Sequence, residues 1–179
     1  MDSSHRLGSN RRFGASYSPC GFYRYRLWRS WEGQARTILW IMLNPSTADD
    51  QGNNDPTIER CERRSMTWGY SRMEVVNLFG FRTTDPRGLR SRADPVGPDN
   101  DHHIILAAAA ADLVVCGWGT HGRFRSRSVE VRALLTPRPL QCIGLTKLGE
   151  PAHPLYLPYD RLPVPYADAS GGSRANRMP

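Results

Sequence analysis

The sequence predicts an α/β fold with three layers, α/β/α, around a mostly parallel, four-stranded central sheet preceded by an N-terminal β-hairpin. Four apolar runs of strand length support this prediction, at residues 38–43, 74–79, 113–116 and 140–145. Segments with the start and stop signals of helices separate these runs. Strands that alternate with helices in this way are typical of parallel sheets with helices on both faces.

The first run, residues 38–43 (ILWIML), contains no polar residue and suits a strand that is buried on both faces. It stops at Asn44-Pro45, because proline cannot donate a hydrogen bond to a sheet ladder. Upstream, residues 17–31 alternate aromatic and arginine side chains, which predicts a strand with one wet face. The short connection at residues 32–34 predicts that these two strands form a hairpin.

Three segments carry helix signals. The segment 55–69 begins with Asp and Pro, which are typical of a cap and a first helical position, and it ends with Gly. We expect the charged side chains of this helix, within residues 59–64, to be solvated. Residues 99–101 can cap a second helix, and residues 129–135 predict a third.

The chain of 179 residues suits one domain with a sizeable core. We place this domain at residues 16–166, between polar terminal segments, 1–15 and 167–179, for which we expect little fixed structure. No apolar run reaches the length of a membrane span, and the start of the chain lacks the apolar part of a signal peptide. These features predict a cytoplasmic protein that does not interact with membranes.

The formal net charge is +7, and of the 24 Lys and Arg residues only Lys147 is a lysine. The planar guanidinium of arginine suits phosphate, which favours an anionic partner. A G+C-rich genome would also favour arginine codons, so both explanations stay open. The 4 cysteines form no CxxC pair. We therefore expect neither a disulfide framework nor a metal centre or other cofactor.

A second polar cluster could in principle hold a divalent metal. It contains Asp94, Asp99, Asp101, His102 and His103. Asp99 and Asp101 stand where helix caps belong, and the two adjacent histidines would point to different faces of a helix. We therefore interpret this cluster as capping.

Polar side chains accompany the end of each predicted strand. Asn44 follows the first strand, Asn77 lies near the end of the second, residues 118–122 follow the third, and His153 comes after the fourth. Because the carboxyl ends of parallel strands lie along one edge of a sheet, we expect a ligand site there. Each residue alone also has a structural explanation, since Asn often satisfies a loop backbone and a single His or Trp is more often part of the core.

The same four segments resemble the motifs of the uracil-DNA glycosylase superfamily, over residues 36–160. Leu43-Asn44-Pro45 resembles its first motif, and Val75-Val76-Asn77 the strand whose Asn reads the uracil edge. Residues 113–119 are similar to the strand that ends in Trp-Gly, and His153-Pro154 to the start of a His-Pro-Ser-Pro motif. The chain also resembles a family of uncharacterised bacterial and phage proteins marked by LNPSTAD, VVNLF and HPLYLP.

The resemblance implies a uracil-DNA-glycosylase-like fold and a monomeric hydrolase, without a cofactor, that flips a damaged or modified base out of DNA or a related nucleic acid and cleaves its N-glycosidic bond. It implies that His153 donates to the departing base and that Asn44 orients the water. The substrate-binding residues expected are Pro45, Ser46, Asn77, Phe79, Trp118, Gly119, His121 and Pro154. We further expect Arg123, Arg125 and Lys147 to bind phosphates.

Two departures from the superfamily's motifs leave other hypotheses open. Ser46 stands where uracil-specific enzymes often carry an aromatic residue, and Leu155 follows His153-Pro154 in place of serine. The second hypothesis is a binding module that keeps a pocket for a nucleobase or nucleotide without the chemistry. The third is a phosphate-handling enzyme with a metal held by Asp49, Asp50 and the cluster within residues 94–103.

Overall fold

The computed structural model describes residues 11–46, 48 and 51–166 of the chain. Within these residues, seven strands form one mixed sheet in the order β1-β2-β4-β3-β5-β6-β7. The strands are β1 (Arg12–Tyr17), β2 (Arg24–Ser30), β3 (Thr37–Met42), β4 (Arg72–Asn77), β5 (Leu113–Cys116), β6 (Gln141–Cys142) and β7 (Val164–Pro165). The predicted α/β class is confirmed. The terminal segments 1–10 and 167–179 lie outside the described residues.

The sheet has seven strands in the described residues, more than the four that the sequence predicted. Strand β3 pairs in parallel with β4 and β5, and β5 pairs in parallel with β6. These four strands correspond to the four apolar runs. Strands β1, β2 and β7 add antiparallel pairings at the two sides of this parallel part. Strand β7 has two residues and β1 is partly exposed, so neither carries a long apolar signal.

The predicted hairpin between β2 and β3 is wrong, because β4 lies between these two strands. Strand β2 instead forms an antiparallel hairpin with β1, which takes in residues 12–15 that we had assigned to the N-terminal segment. Gly14 explains how β1 packs there. A Cβ atom at Gly14 would lie 2.7 Å from the indole of Trp28, so only glycine lets that ring lie over the strand.

Three helices cover the two faces of the sheet. Helix α1 (Pro56–Thr67) packs on one face, and helices α2 (Asn100–Ala110) and α3 (Arg127–Leu135) pack on the other. Asp55 accepts hydrogen bonds from the backbone N–H groups of Thr57 and Ile58, which confirms the predicted cap of α1. The side chain of Asp99 makes no such bond to α2, contrary to our expectation.

Strand β3 supplies both hydrophobic cores, because its side chains alternate between the faces of the sheet. Ile38 and Trp40 pack toward α1, whereas Leu39 and Ile41 pack toward α2 and α3. The indole N–H of Trp40 donates to the hydroxyl of Ser65 on α1, at 3.1 Å. The strand is therefore buried on both faces, as its sequence predicted.

The charged face of α1 is not fully solvated, which corrects the sequence-based expectation. Glu62 is only 3% exposed and Arg64 only 1% exposed. The guanidinium of Arg64 donates to the backbone carbonyls of residues 157, 158 and 159, at 2.8–3.1 Å. Arg60 donates to the carbonyl of residue 157 as well. Arginines on α1 thus hold the chain segment that follows His153.

In the described part of the chain, no helix has both the length and the apolar character needed to cross a membrane.

Replacing Arg64 with alanine should destabilise the fold by about 2–4 kcal/mol, because three backbone carbonyls lose the buried charged donor that holds their segment to α1. Chemical denaturation monitored by circular dichroism measures this change in the free energy of unfolding. Arg63→Ala is the matched control, since Arg63 is exposed and pairs only with Glu59 on its own helix. That variant should unfold almost like the wild type; equal losses in both variants would contradict the tethering role of Arg64.

Candidate functional site

A cavity of about 570 Å³ opens at the carboxyl ends of strands β3, β4 and β5. The loop after β3 and the first turn of α1 form one wall, and the segment after β6 forms another. The lining residues are Arg24, Met42, Leu43, Asn44, Ser46, Asp55, Thr57, Ile58, Val75, Asn77, Thr83, Thr84, Trp118, Gly119, Thr120, His121, Thr146, Ala152, His153, Leu155 and Tyr156. Its volume is typical of sites for small molecules.

The cavity brings together seven of the residues that the sequence analysis selected. They are Asn44, Ser46, Asn77, Trp118, Gly119, His121 and His153. Their positions in the sequence are far apart, and the parallel pairing of the strands accounts for their meeting at one edge. Whether they form a functional site stays a prediction, but their convergence is a property of the structure.

Glycines allow the strand ends to approach closely. A Cβ atom at Gly117 would lie 3.0 Å from Cδ of Pro154 and 3.1 Å from the sulfur of Met42. Gly119 has a positive φ of 70° and its N–H donates to the carbonyl of Pro151. A larger residue at Gly117 would push Pro154 and the segment that carries His153 away from β5, whereas at Gly119 the positive φ is what favours glycine.

The side-chain amide of Asn44 is oriented by the loop around it. Its Nδ2 donates to the carbonyl of Thr83 at 2.6 Å and to the carbonyl of Pro45 at 3.1 Å. Both amide hydrogens are therefore engaged by the backbone. The amide oxygen, which can only accept, is the part of Asn44 that remains for a ligand or a water.

Asn77 presents a buried donor without a partner. The residue is 2% exposed, and its Nδ2 makes no hydrogen bond within the described residues. Its backbone is held from the other face, because the side chain of Asn100 donates to the carbonyl of Asn77 at 2.9 Å. A buried amide donor that lines a cavity and lacks a partner is a place where a ligand acceptor can bind.

His153 is held as a neutral donor. Its Nδ1 accepts a hydrogen bond from the N–H of Leu155 at 3.4 Å, which leaves Nε2 to carry the ring proton. Burial lowers the pKa of His153 below its usual value, although the charge of Asp55 acts in the opposite direction. The ring is therefore neutral at pH 7, with an N–H group available to the cavity.

Trp118 forms a rigid part of the cavity wall. Its indole N–H donates to the buried carboxylate of Glu150 at 2.7 Å, and Ser128 donates to the same carboxylate at 3.3 Å. A Cβ atom at Gly122 would lie 2.2 Å from the indole, so glycine is needed where the chain passes the ring. The ring plane of Trp118 is thus fixed before any ligand arrives.

The other selected residues lie outside the cavity. Phe79 is fully buried in the core and its ring lies 5.6 Å from that of Phe124, so it does not face a ligand. Pro45 and Pro154 are buried behind the cavity wall. Arg125 is exposed and donates to the carbonyl of Ala93 at 3.0 Å. The remaining two, Arg123 and Lys147, are exposed and do not line the cavity.

Sequence reasoning missed several lining residues, and Arg24 is the most notable. The alternation around it predicted a solvated arginine between buried aromatic residues, but Arg24 is 2% exposed. Asp55 was recognised as a cap only, although it also lines the cavity. The threonines Thr57, Thr83, Thr84, Thr120 and Thr146 also line the cavity; Thr57 lies in the first turn of α1 and the others in the connections between the main elements, and no short motif in the sequence marks them.

A comparison with models of protein families shows to which family the chain belongs. A family model described as "Protein of unknown function (DUF1643)" matches residues 24–155. The chain belongs to this DUF1643 family. Every residue that lines the cavity except Tyr156 falls inside the DUF1643 match. Comparisons with curated proteins and with solved structures gave no match, and the resemblance to uracil-DNA glycosylases stays a prediction.

The polar cluster around α2 makes structural contacts. Asp94 accepts from the N–H groups of Val96 and Gly97, and Asp101 pairs with Arg127. The ring of His103 stacks on Tyr25 at 4.8 Å. Over residues 11–46, 48 and 51–166, no three His, Cys, Asp or Glu side chains are arranged to hold a metal ion. Asp49 and Asp50 lie outside the described residues.

His153 should make the stability of the fold depend on pH. The pKa of His153 in the folded state is below the usual 6.5 of the unfolded chain. Between the folded and the unfolded pKa, the unfolded chain therefore binds more protons than the folded protein. The free energy of unfolding should therefore fall as the pH is lowered through 6.5, since protonation of Nδ1 would oppose the N–H of Leu155.

His153→Gln should reduce this dependence, and urea denaturation at a series of pH values measures it. His102→Gln is the control, because His102 is exposed on α2. A His153→Gln variant whose stability follows pH as steeply as the wild type would contradict the partly buried, neutral state of His153.

Proposed function

We propose that the protein is a hydrolase of the uracil-DNA glycosylase type, which cleaves the N-glycosidic bond of a base in DNA or a related nucleic acid. The observation that carries this proposal is the shared cavity of Asn44, Asn77 and His153, in which the amide donor of Asn77 is buried without a partner. The resemblance to the glycosylase motifs assigns roles to the same three residues. The motifs also follow the four parallel strands β3, β4, β5 and β6 in order.

The proposed reaction adds water to the sugar and releases the base. The oxygen of a water molecule forms a bond to C1′ while the bond from C1′ to the base nitrogen breaks. The electron pair of that bond leaves with the base, which finally takes up a proton from the water. Positive charge develops on the sugar and negative charge on the base, so the site must stabilise both.

His153 suits the stabilisation of the departing base. A neutral imidazole with its proton on Nε2 can donate to a base oxygen as negative charge develops there. The lowered pKa supports this role, because it keeps the ring neutral at pH 7. Such a donor acts most strongly in the transition state, where the oxygen carries the most charge.

Asn44 suits the placement of water rather than its deprotonation. With both amide hydrogens bound to carbonyls, its oxygen is the acceptor for a water hydrogen. An amide is too weak a base to remove the proton, so turnover should be slow unless the base is a good leaving group.

Asn77 and Trp118 suit recognition of the base. The unpaired amide donor of Asn77 can bind a carbonyl oxygen on the base edge, which adenine lacks. The fixed indole of Trp118 offers an apolar wall beside it. A base without a suitable oxygen would leave the buried donor unpaired, which penalises its binding.

A groove beside the cavity supports a polymeric substrate. It has a volume of about 490 Å³ and shares Ser46, Thr83 and Thr84 with the main cavity. Its other lining residues are Gly21, Phe22, Phe81 and Arg82. Arg92 lies over the rings of Phe22 and Phe81, at 5.0 and 5.1 Å. Phe22 is exposed and Phe81 partly buried, and an exposed aromatic ring beside arginines is typical of surfaces that bind single-stranded nucleic acid.

A second candidate is a binding module that holds a nucleobase or nucleotide without cleaving it. The bonds from Asn44 to Pro45 and Thr83 favour it, because they give Asn44 a structural role that requires no chemistry.

Alanine substitutions test the proposed chemistry. His153→Ala and Asn44→Ala should each slow base release by a factor of about a hundred to a thousand, the usual cost of losing one such group. Asn77→Ala should instead reduce discrimination between bases. The assay measures free base released from oligonucleotides that carry uracil, hypoxanthine or mismatched thymine.

His102→Ala is the control for these variants, because His102 is exposed and does not line the cavity. It should release base at the wild-type rate. If the wild type releases no base from any substrate but binds one of them, the binding module replaces the hydrolase. If release survives both His153→Ala and Asn44→Ala, the reaction takes place at another site.

The groove predicts salt-dependent binding of single-stranded DNA. Arg82→Ala should weaken binding and reduce the slope of log affinity against log salt by about 1, as expected for one lost phosphate contact. Phe22→Ala should weaken binding without changing this slope, because Phe22 is uncharged and 54% exposed. Fluorescence anisotropy with a labelled oligonucleotide measures both. Arg63→Ala is the control, because it removes an equal charge on the exposed face of α1, away from the groove. It should leave the slope of log affinity against log salt nearly unchanged.

A further inference from the structure

Arg24 places a positive charge in the wall of the cavity. The residue is 2% exposed and lies at the start of β2. Its Nη1 donates to the carbonyl of Ala48, in the loop that follows β3. Its Nε is buried and makes no hydrogen bond within the described residues. A guanidinium has five N–H donors, so much of the capacity of Arg24 remains for another acceptor.

Arg24 forms no ion pair with any described carboxylate. In the described part of the chain, no carboxylate lies within ion-pair distance of its guanidinium. Asp55 acts on Arg24 from farther away, and its carboxylate already accepts from two N–H groups of α1. Burial lowers the pKa of Arg24 to about 10, so the side chain still carries its charge at neutral pH.

The other buried arginines in the described residues are differently placed. Arg29 donates to Asn54 and to the carbonyls of Trp28 and Asn53. Arg64 donates to three carbonyls although its Nε also lacks a partner, and Arg127 pairs with Asp101 and Glu130. None of these three lines the cavity. A buried charge is unfavourable unless it is paired, and the cavity beside Arg24 is where an anion can reach it.

We propose that Arg24 forms an anion subsite of the cavity and binds a phosphate group of a nucleotide whose base lies against Asn77. The position of the base against Asn77 rests on the proposed function. The anion subsite does not, because it is argued from the burial and the hydrogen bonds of Arg24 alone. The hydroxyl groups of Ser46 and Thr57 in the same wall add neutral donors for phosphate oxygens. The volume of the cavity, about 570 Å³, can hold a base, a sugar and one phosphate together.

Titration of the full chain with inorganic phosphate tests the subsite directly. Isothermal calorimetry at constant ionic strength should show binding to the wild type, and Arg24→Gln should weaken it at least about tenfold, as expected for a lost charged donor. Arg29→Gln removes the same charge from the same buried strand and should leave phosphate binding unchanged. No binding to the wild type, or equal losses in the two variants, overturns the proposal.

A second measurement does not require a folded Arg24→Gln variant. The Nε–H resonance of Arg24 in the wild-type protein should shift in the nuclear magnetic resonance spectrum when phosphate is added, and Arg24→Lys identifies the resonance by its loss. A resonance that stays in place while phosphate saturates the protein overturns the proposal.

Nucleotide ligands distinguish the source of the phosphate. Arg24→Gln should weaken binding of 2′-deoxyuridine 5′-monophosphate and leave binding of 2′-deoxyuridine unchanged if a terminal phosphate occupies the subsite. A loss confined to oligonucleotides also supports the subsite and assigns it to a phosphate within a strand. An equal loss for the nucleoside and the nucleotide means that Arg24 shapes the cavity without binding phosphate, which overturns the proposal.

The base-release assay separates the two proposals. Phosphate binding that depends on Arg24, in a protein that releases no base, keeps the anion subsite and rejects the hydrolase. Base release that is normal in Arg24→Gln, in a protein that does not bind phosphate, keeps the hydrolase and rejects the subsite.

Discussion

The parallel pairing of β3 with β4 and β5 is the constraint on which the rest of the structure depends. Parallel strands that share a register bring their carboxyl ends to one edge, so Asn44, Asn77 and the loop that carries Trp118 must lie side by side. The apolar side chains of β3 bury both faces of the sheet against helices, which fixes the strand in place. Any change that shifts this register would separate the polar groups of the cavity.

The sequence was most informative where one stretch of the chain determines its own environment. A run such as residues 38–43 can only be buried, and the Asp-Pro pair at residues 55–56 satisfies helix geometry by itself. It was least informative about pairing at a distance. Nothing local in β2 shows that β4, more than forty positions later, lies beside it in place of β3. The convergence on the cavity could be predicted because it follows from topology, whereas the chemistry of each residue there could not.

Arg24 illustrates why the remaining parts of the site could not be predicted. Between Tyr23 and Tyr25, an alternating pattern assigns an arginine to the solvent face. In the structure all three are buried: Tyr25 stacks on His103, Tyr23 donates to the carbonyl of Asp94, and Arg24 donates to the carbonyl of Ala48 in the loop after β3. The pairing of β1 with β2 has a register shift beside Tyr17, and Tyr25 stacks on His103 of α2 whereas Leu27 packs in the core beside α1. The predicted alternation, which placed Tyr25 and Leu27 on one face, therefore fails in this strand, and which segments cover each face is a property of the whole fold.

Buried polar atoms without a partner occur in several parts of the described structure, Nε of Arg64 and Oδ1 of Asn100 among them, but of the residues concerned only Arg24 and Asn77 line the cavity. Arg64, Glu150 and Asn100 are buried with partners that tie one segment to another, and they rigidify the walls. Asn77 and Arg24 are buried at the cavity with donors that no described residue accepts. Each such donor costs about 1–3 kcal/mol of desolvation in the folded protein. Rigid walls around unpaired donors let a protein bind a polar ligand without first reorganising. The free-energy cost of desolvating and ordering these donors is incurred when the protein folds, so it does not reduce the affinity for the ligand.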